Sequence, residues 1–149
     1  MIYDVTRRNG VSIGTIDFSE SINEYGLESP KRFPNISKLG VCEVKVYERE
    51  GMHPHIHIYG NGKEVCVALG ITKYFSHEPQ HSQFSNSKQK ADLDKWFRAH
   101  NTKVSEAKNQ NFTNYQASVQ MWNELNPIAK LDFNAPQPDY SMLDGEIKK

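Results

Sequence analysis

The chain has 149 residues, 37% hydrophobic and 24% charged, with 18 basic residues balancing 18 acidic ones. That length suits one domain with a respectable core and is short for two, and zero net charge removes any whole-molecule attraction to nucleic acid or acidic membranes. Met1-Ile2-Tyr3-Asp4 has no basic stretch leading into an apolar run, and nowhere do eighteen apolar residues follow one another, so the expectation is a cytoplasmic protein without a membrane span.

Residues 2–18 predict a β-hairpin around Asn9-Gly10 that pairs Val5 with Gly14 and Tyr3 with Ile16 and gathers Tyr3, Val5, Ile16 and Phe18 on one face. Residues 19–38, with Pro30 and Pro34, keep neither helical nor strand period. They predict a long loop, a candidate surface for a protein partner. Val41 to Glu48 then alternates Cys42, Val44 and Val46 against Glu43, Lys45 and Tyr47, which predicts a strand. Cys42 and Cys66 are the two cysteines of the chain, and both are expected to be reduced thiols.

The densest chemistry lies in Gly51 to Leu69, GMHPHIHIYGNGKEVCVAL. In an extended strand alternate side chains share a face, so His55, His57 and Tyr59 are set against Ile56 and Ile58. A two-residue turn follows, either Asn61-Gly62, which pairs His57 with Cys66, or Gly60-Asn61, which pairs His57 with Glu64. The registers differ by two residues, so either gathers His55, His57, Glu64 and Cys66 on one face and Ile56, Ile58, Val65 and Val67 on the other.

Gly70 to Ser85 is polar and irregular. A helix is predicted over 88–100, capped by Ser87, with Leu93, Trp96 and Phe97 on one face and Asn101 in the left-handed position after it. A second helix is expected from near Thr102, with Phe112, Tyr115, Val119 and Trp122 as its apolar stripe, Val104 and Ala107 extending it, and Pro127 ending it. Residues 134–149, with Pro136, Pro138 and a charged end, are expected to form a flexible tail.

These elements predict a single α+β domain over 1–133: an N-terminal hairpin plus a three-stranded antiparallel meander packed on two C-terminal helices. The expected core is Cys42, Val44, Val46, Ile56, Ile58, Val65, Val67, Leu93, Trp96, Phe97, Phe112, Tyr115, Val119 and Trp122.

The run His53-Pro54-His55-Ile56-His57-Ile58, a glycine turn, an apolar strand, a helix carrying LDKWF and a second helix ending MWNELNPIAKLDF together resemble the small bacterial and phage domain-of-unknown-function family 4160. The likeness covers roughly Val41 to Phe133, with His55 and His57 on the family's histidine pair, Pro54 on its proline and Trp122 on its closing tryptophan. It implies an α+β fold and association with phages, mobile elements or toxin–antitoxin-like gene pairs, with no settled activity.

The histidine face has two readings. It binds a divalent metal such as zinc through His55, His57, Glu64 and Cys66, with His53, His77 or His81 as further ligands, or it is a structural polar face held by hydrogen bonds. A metal-bound water would be a hydrolytic nucleophile with Glu64 as its base, and the same face could instead take a phosphate-bearing ligand. HPHIHIY also fits the strand pattern of histidine-triad nucleotide hydrolases, which would make His55 the nucleophile and His57 its phosphate-contacting partner. That family's upstream segments are missing here. His77-Glu78-Pro79-Gln80-His81 spells H-E-x-x-H, which carries zinc-protease chemistry only on a helix, and Pro79 argues against one. Lys88, Lys90, Lys95, Arg98, Lys103 and Lys108 give the helices a basic surface, read as a solvated face rather than a nucleic-acid site because Trp96, Phe97 and Trp122 are needed in the core. The non-enzymatic alternative is a phage or toxin–antitoxin-like module that grips a macromolecule through the loop 19–38 and the helix surface.

Overall fold

The computed structural model describes residues 4–8, 11–17, 41–47, 53–60, 63–76, 81–101 and 112–148. The expectations placed on the Asn9-Gly10 and Asn61-Gly62 turns, the loop 19–38, the 77–80 part of the H-E-x-x-H motif and the 102–111 part of the second helix fall outside those residues, as do the side chains of Cys42 and Val44.

Among the described residues seven strands form one sheet in sequence order: β1 (Asp4–Arg8), β2 (Val11–Asp17), β3 (Val41–Tyr47), β4 (His55–Gly60), β5 (Lys63–Ala68), β6 (Tyr74–Ser76) and β7 (Glu146–Lys148). All neighbours are antiparallel except β6 and β7, which run parallel. The first hairpin has the expected Val5↔Gly14 pair. β3, β4 and β5 form the expected meander, and an extra β3 residue, Cys42, falls between the Val41↔Gly60 and Glu43↔Tyr59 pairs.

Between β4 and β5 the register is His57↔Cys66, Tyr59↔Glu64 and Gly60↔Lys63. This is the one of the two expected registers that pairs His57 with Cys66. Both faces of the hairpin are buried: Ile56, Ile58, Val65 and Val67 on one side, His55, His57 and Cys66 on the other.

Among the described residues two helices pack on the sheet, α1 (Ser87–Arg98) and α2 (Asn114–Leu125). Leu93, Trp96 and Phe97 of α1 and Tyr115, Val119 and Trp122 of α2 join Phe112 and the β-strand residues Val46, Ile56, Ile58, Val65 and Val67 in one core. The fold is therefore α+β, as the patterning implies. The helix ends differ from expectation. Asn86, not Ser87, caps α1, its side chain accepting from Gln89 N–H, and Ala99, with extended backbone, closes it. Asn101 is a buried crosslink rather than a left-handed stop: its N–H bonds Phe112 C=O and its amide donates to Asn114 Oδ1 at 2.9 Å. α2 starts at Asn114 because Thr113, with extended backbone, and Gln116 close a reciprocal capping box.

Residues 134–148 are not a flexible tail. A 3₁₀ turn, Tyr140–Met142, inserts Tyr140 and Leu143 into the core, and β7 completes the sheet. The Tyr140 hydroxyl donates to Ala68 C=O at 2.6 Å, while its N–H and the Gln137 amide both donate to Asp94 Oδ1. Pro136 and Pro138 hid this anchoring from a reading based on polarity. β6 was also missed, because three residues are too few to display a period. Among the described residues no helix is long and apolar enough to cross a membrane.

Candidate metal centre

The hairpin register sets the first three donors. His57 and Cys66 are direct cross-strand partners on a shared face, close enough for side chains to touch. Cys66 Sγ lies 3.1 Å from His57 Nδ1, and Glu64, two residues before Cys66 along β5, brings Oε2 to 3.5 Å from the same nitrogen. Side-chain alternation in paired strands thus places nitrogen, oxygen and sulfur together.

The fourth donor comes from the linker between β6 and α1. Ser82 N–H bonds Glu64 C=O at 2.8 Å, and Ser82 forms a parallel bridge with Val65, so this segment runs alongside β5. Two residues on, Phe84 N–H donates to the buried Tyr74 hydroxyl, whose pKa burial pushes above its ordinary value. Asn86 then caps α1. Held by these contacts, the segment that follows His81 directs His81 Nε2 to 2.8 Å from Glu64 Oε2 and 3.7 Å from Cys66 Sγ.

The ligand atoms of His57, Glu64, Cys66 and His81 all lie within 4.8 Å of one another. Their spacing can be compared with a coordination polyhedron. Zinc–ligand distances of about 2.0–2.1 Å to nitrogen, about 2.0–2.2 Å to oxygen and about 2.3 Å to sulfur put tetrahedral neighbours roughly 3.4 Å (N···O) and roughly 3.6 Å (N···S) apart. The N···O separations of 3.5 and 2.8 Å and the N···S separations of 3.1 and 3.7 Å fall within about 0.6 Å of that figure. The group as a whole spans up to 4.8 Å, so an ion would draw these side chains closer together. Paired imidazoles with a thiolate and a carboxylate suit zinc and similar transition ions better than magnesium or calcium, which prefer oxygen.

Of the residues expected to ligate, His57, Glu64 and Cys66 are in this group and His55 is not. His55 is fully buried with its ring stacked on Phe75 at a centroid distance of 4.0 Å, and Trp122 lies 5.2 Å away. Its Nδ1–H donates to His53 C=O at 2.7 Å, since a carbonyl can only accept. The position expected of a nucleotide-hydrolase nucleophile is thus taken up by packing under Phe75. His53 lies outside β4 and is exposed. His81 was one of several candidate further ligands, and nothing in the local sequence selects it, because the Ser82–Glu64 contact that places it is made by the main chain. Its neighbour Ser82 bridges to β5, so the H-E-x-x-H spelling does not put His81 on a helix. Trp96, Phe97 and Trp122 are buried and offer no stacking surface for bases.

No protein-family model matches the chain, and no curated protein or solved structure was found to be similar to it.

Proposed function

We propose that this chain is a metal-binding protein in which His57 Nδ1, Glu64, Cys66 Sγ and His81 Nε2 hold one zinc-like divalent ion. The observation that carries this reading is the convergence of four deprotonatable donors from β4, β5 and the β6–α1 linker within 4.8 Å. Amides or hydroxyls would serve a purely structural network as well, whereas imidazole, thiol and carboxylate share the capacity to surrender protons to a cation. Protein ligands from separate segments let an ion staple those segments together. Here the ion ties the β6–α1 linker to the β4–β5 hairpin. A bare phosphate suits the cluster less well, because the Glu64 carboxylate would place negative charge against it.

The resemblance to family 4160 accompanies this reading as a proposal about descent, supported by the Pro54-His55-Ile56-His57 run entering β4 and by Trp122 on the second helix. A partner-binding role for the whole chain is compatible with a stapled site.

Metal analysis of the purified protein tests the proposal. The expected result is about one zinc, cobalt or nickel per chain after loading and desalting, lost in Cys66→Ser and His81→Ala but retained in His55→Phe, which keeps the stack on Phe75. A wild-type protein that takes up none of these ions, or a Cys66→Ser variant that takes up as much as wild type, overturns it.

A further inference from the structure

The four donors are unequally sheltered. The side chains of His57 and His81 are 4% and 3% exposed and Cys66 is 1% exposed, whereas that of Glu64 is 20% exposed. We propose that Glu64 is the exchangeable ligand of this centre, and that water or a small monoanion reaches the metal from its side; this rests on the metal-binding reading above.

The backbone explains why exchange there leaves the main chain in place. Glu64 C=O is fixed by Ser82 N–H, and Glu64 is paired with Tyr59 across the hairpin, so its main chain is held from both sides. Its carboxylate swings away by rotation about side-chain bonds alone. Withdrawing His57, Cys66 or His81 would instead move a side chain packed in the interior. Three retained ligands and one open position are the arrangement of catalytic zinc sites, in which the fourth place takes water or substrate. With a metal held there, the displaced carboxylate, still tethered to β5, would be a base for the proton of a bound water. Because only the place of one carboxylate is vacated, the occupants that suit it are small: water, azide, thiocyanate or the carboxylate of a short acid.

The test uses the full chain loaded with cobalt(II), whose visible bands report coordination and whose thiolate charge-transfer band reports Cys66, titrated with sodium azide. Glu64→Ala is expected to keep cobalt and the thiolate band and to bind azide about tenfold or more tighter than wild type, since no resident carboxylate competes. Glu64→Gln, closer in shape, is expected to behave in the same direction and stands in if Glu64→Ala does not fold. Cobalt-loaded variants whose bands ignore azide, or Glu64 variants that lose cobalt as completely as Cys66→Ser, overturn the proposal while leaving the metal site intact. A wild-type chain that develops no thiolate band with cobalt overturns both.

Discussion

Two buried polar regions of this molecule are built from opposite chemistry. Between the helices, Asn101 donates to Asn114, Asn114 donates to Trp96 C=O at 2.7 Å, and the Ser118 hydroxyl donates to Asn114 C=O at 2.8 Å. Neutral amide and hydroxyl groups meet the main chain, each donor facing an acceptor, and the network is complete without any added ion. At the hairpin, His57, Glu64, Cys66 and His81 face one another instead. Every member there can exchange a proton, so the balance of donors and acceptors depends on pH and on whatever cation is present. Burial alone therefore does not distinguish a crosslink from a cluster that could hold an ion. The distinction lies in whether the groups turn toward the backbone or toward a common point.

The largest expected effect breaks this comparison on the hairpin side. Zinc at about a thousand times its Kd should raise the free energy of unfolding by about 4 kcal/mol, measured by urea titration with and without metal, and should add nothing in Cys66→Ser. Because protons compete for imidazole and thiolate, the stabilisation should weaken as pH falls. Equal gains in wild type and variant would place the ion elsewhere.

Next comes Asn114→Ala, which removes the shared member of the interhelical network and leaves Trp96 C=O and the Asn101 amide without that partner. A loss of about 1–3 kcal/mol is expected, with zinc content unchanged by metal analysis. A parallel loss of metal would show that the regions are coupled.

The smallest effect concerns the C-terminal anchor. Tyr140→Phe keeps the ring against Phe97 and deletes the hydrogen bond to Ala68 C=O, a loss of about 0.5–1.5 kcal/mol in thermal or urea unfolding. Burial raises the pKa of this hydroxyl, and of Tyr115, so the folded state favours the neutral phenol. Unfolded tyrosine ionises near pH ~10. Stability from these groups is thus fully present below that pH and falls as pH rises above it, and the fall should be shallower in Tyr140→Phe. An identical alkaline profile would remove Tyr140 from that account.

What the sequence made legible followed from short-range periodicity. Alternation in His55-Ile56-His57-Ile58 and the spacing around Asn61-Gly62 were enough to bring His57, Glu64 and Cys66 together, because strand pairing propagates a local register. The apolar stripes of Leu93, Trp96, Phe97, Tyr115, Val119 and Trp122 likewise identified core-facing helix positions. Long-range main-chain contacts left no such trace. Ser82 against Glu64 decided which histidine completes the cluster, and Tyr140 beneath Ala68 turned a proline-bearing segment into a buried strap. Whether the His55 ring ligates or stacks depended on Phe75, carried by a strand of three residues.

The spacing of the donors along the chain also sets a timetable. His57, Glu64 and Cys66 belong to one hairpin, and hairpins close in about 1–10 μs, whereas His81 must wait for the β6–α1 linker to settle against β5. An ion present while the protein folds would meet a three-toothed claw first and acquire its last ligand only as the linker docks, so metal capture would come early in assembly and help select the register on which the remaining sheet grows.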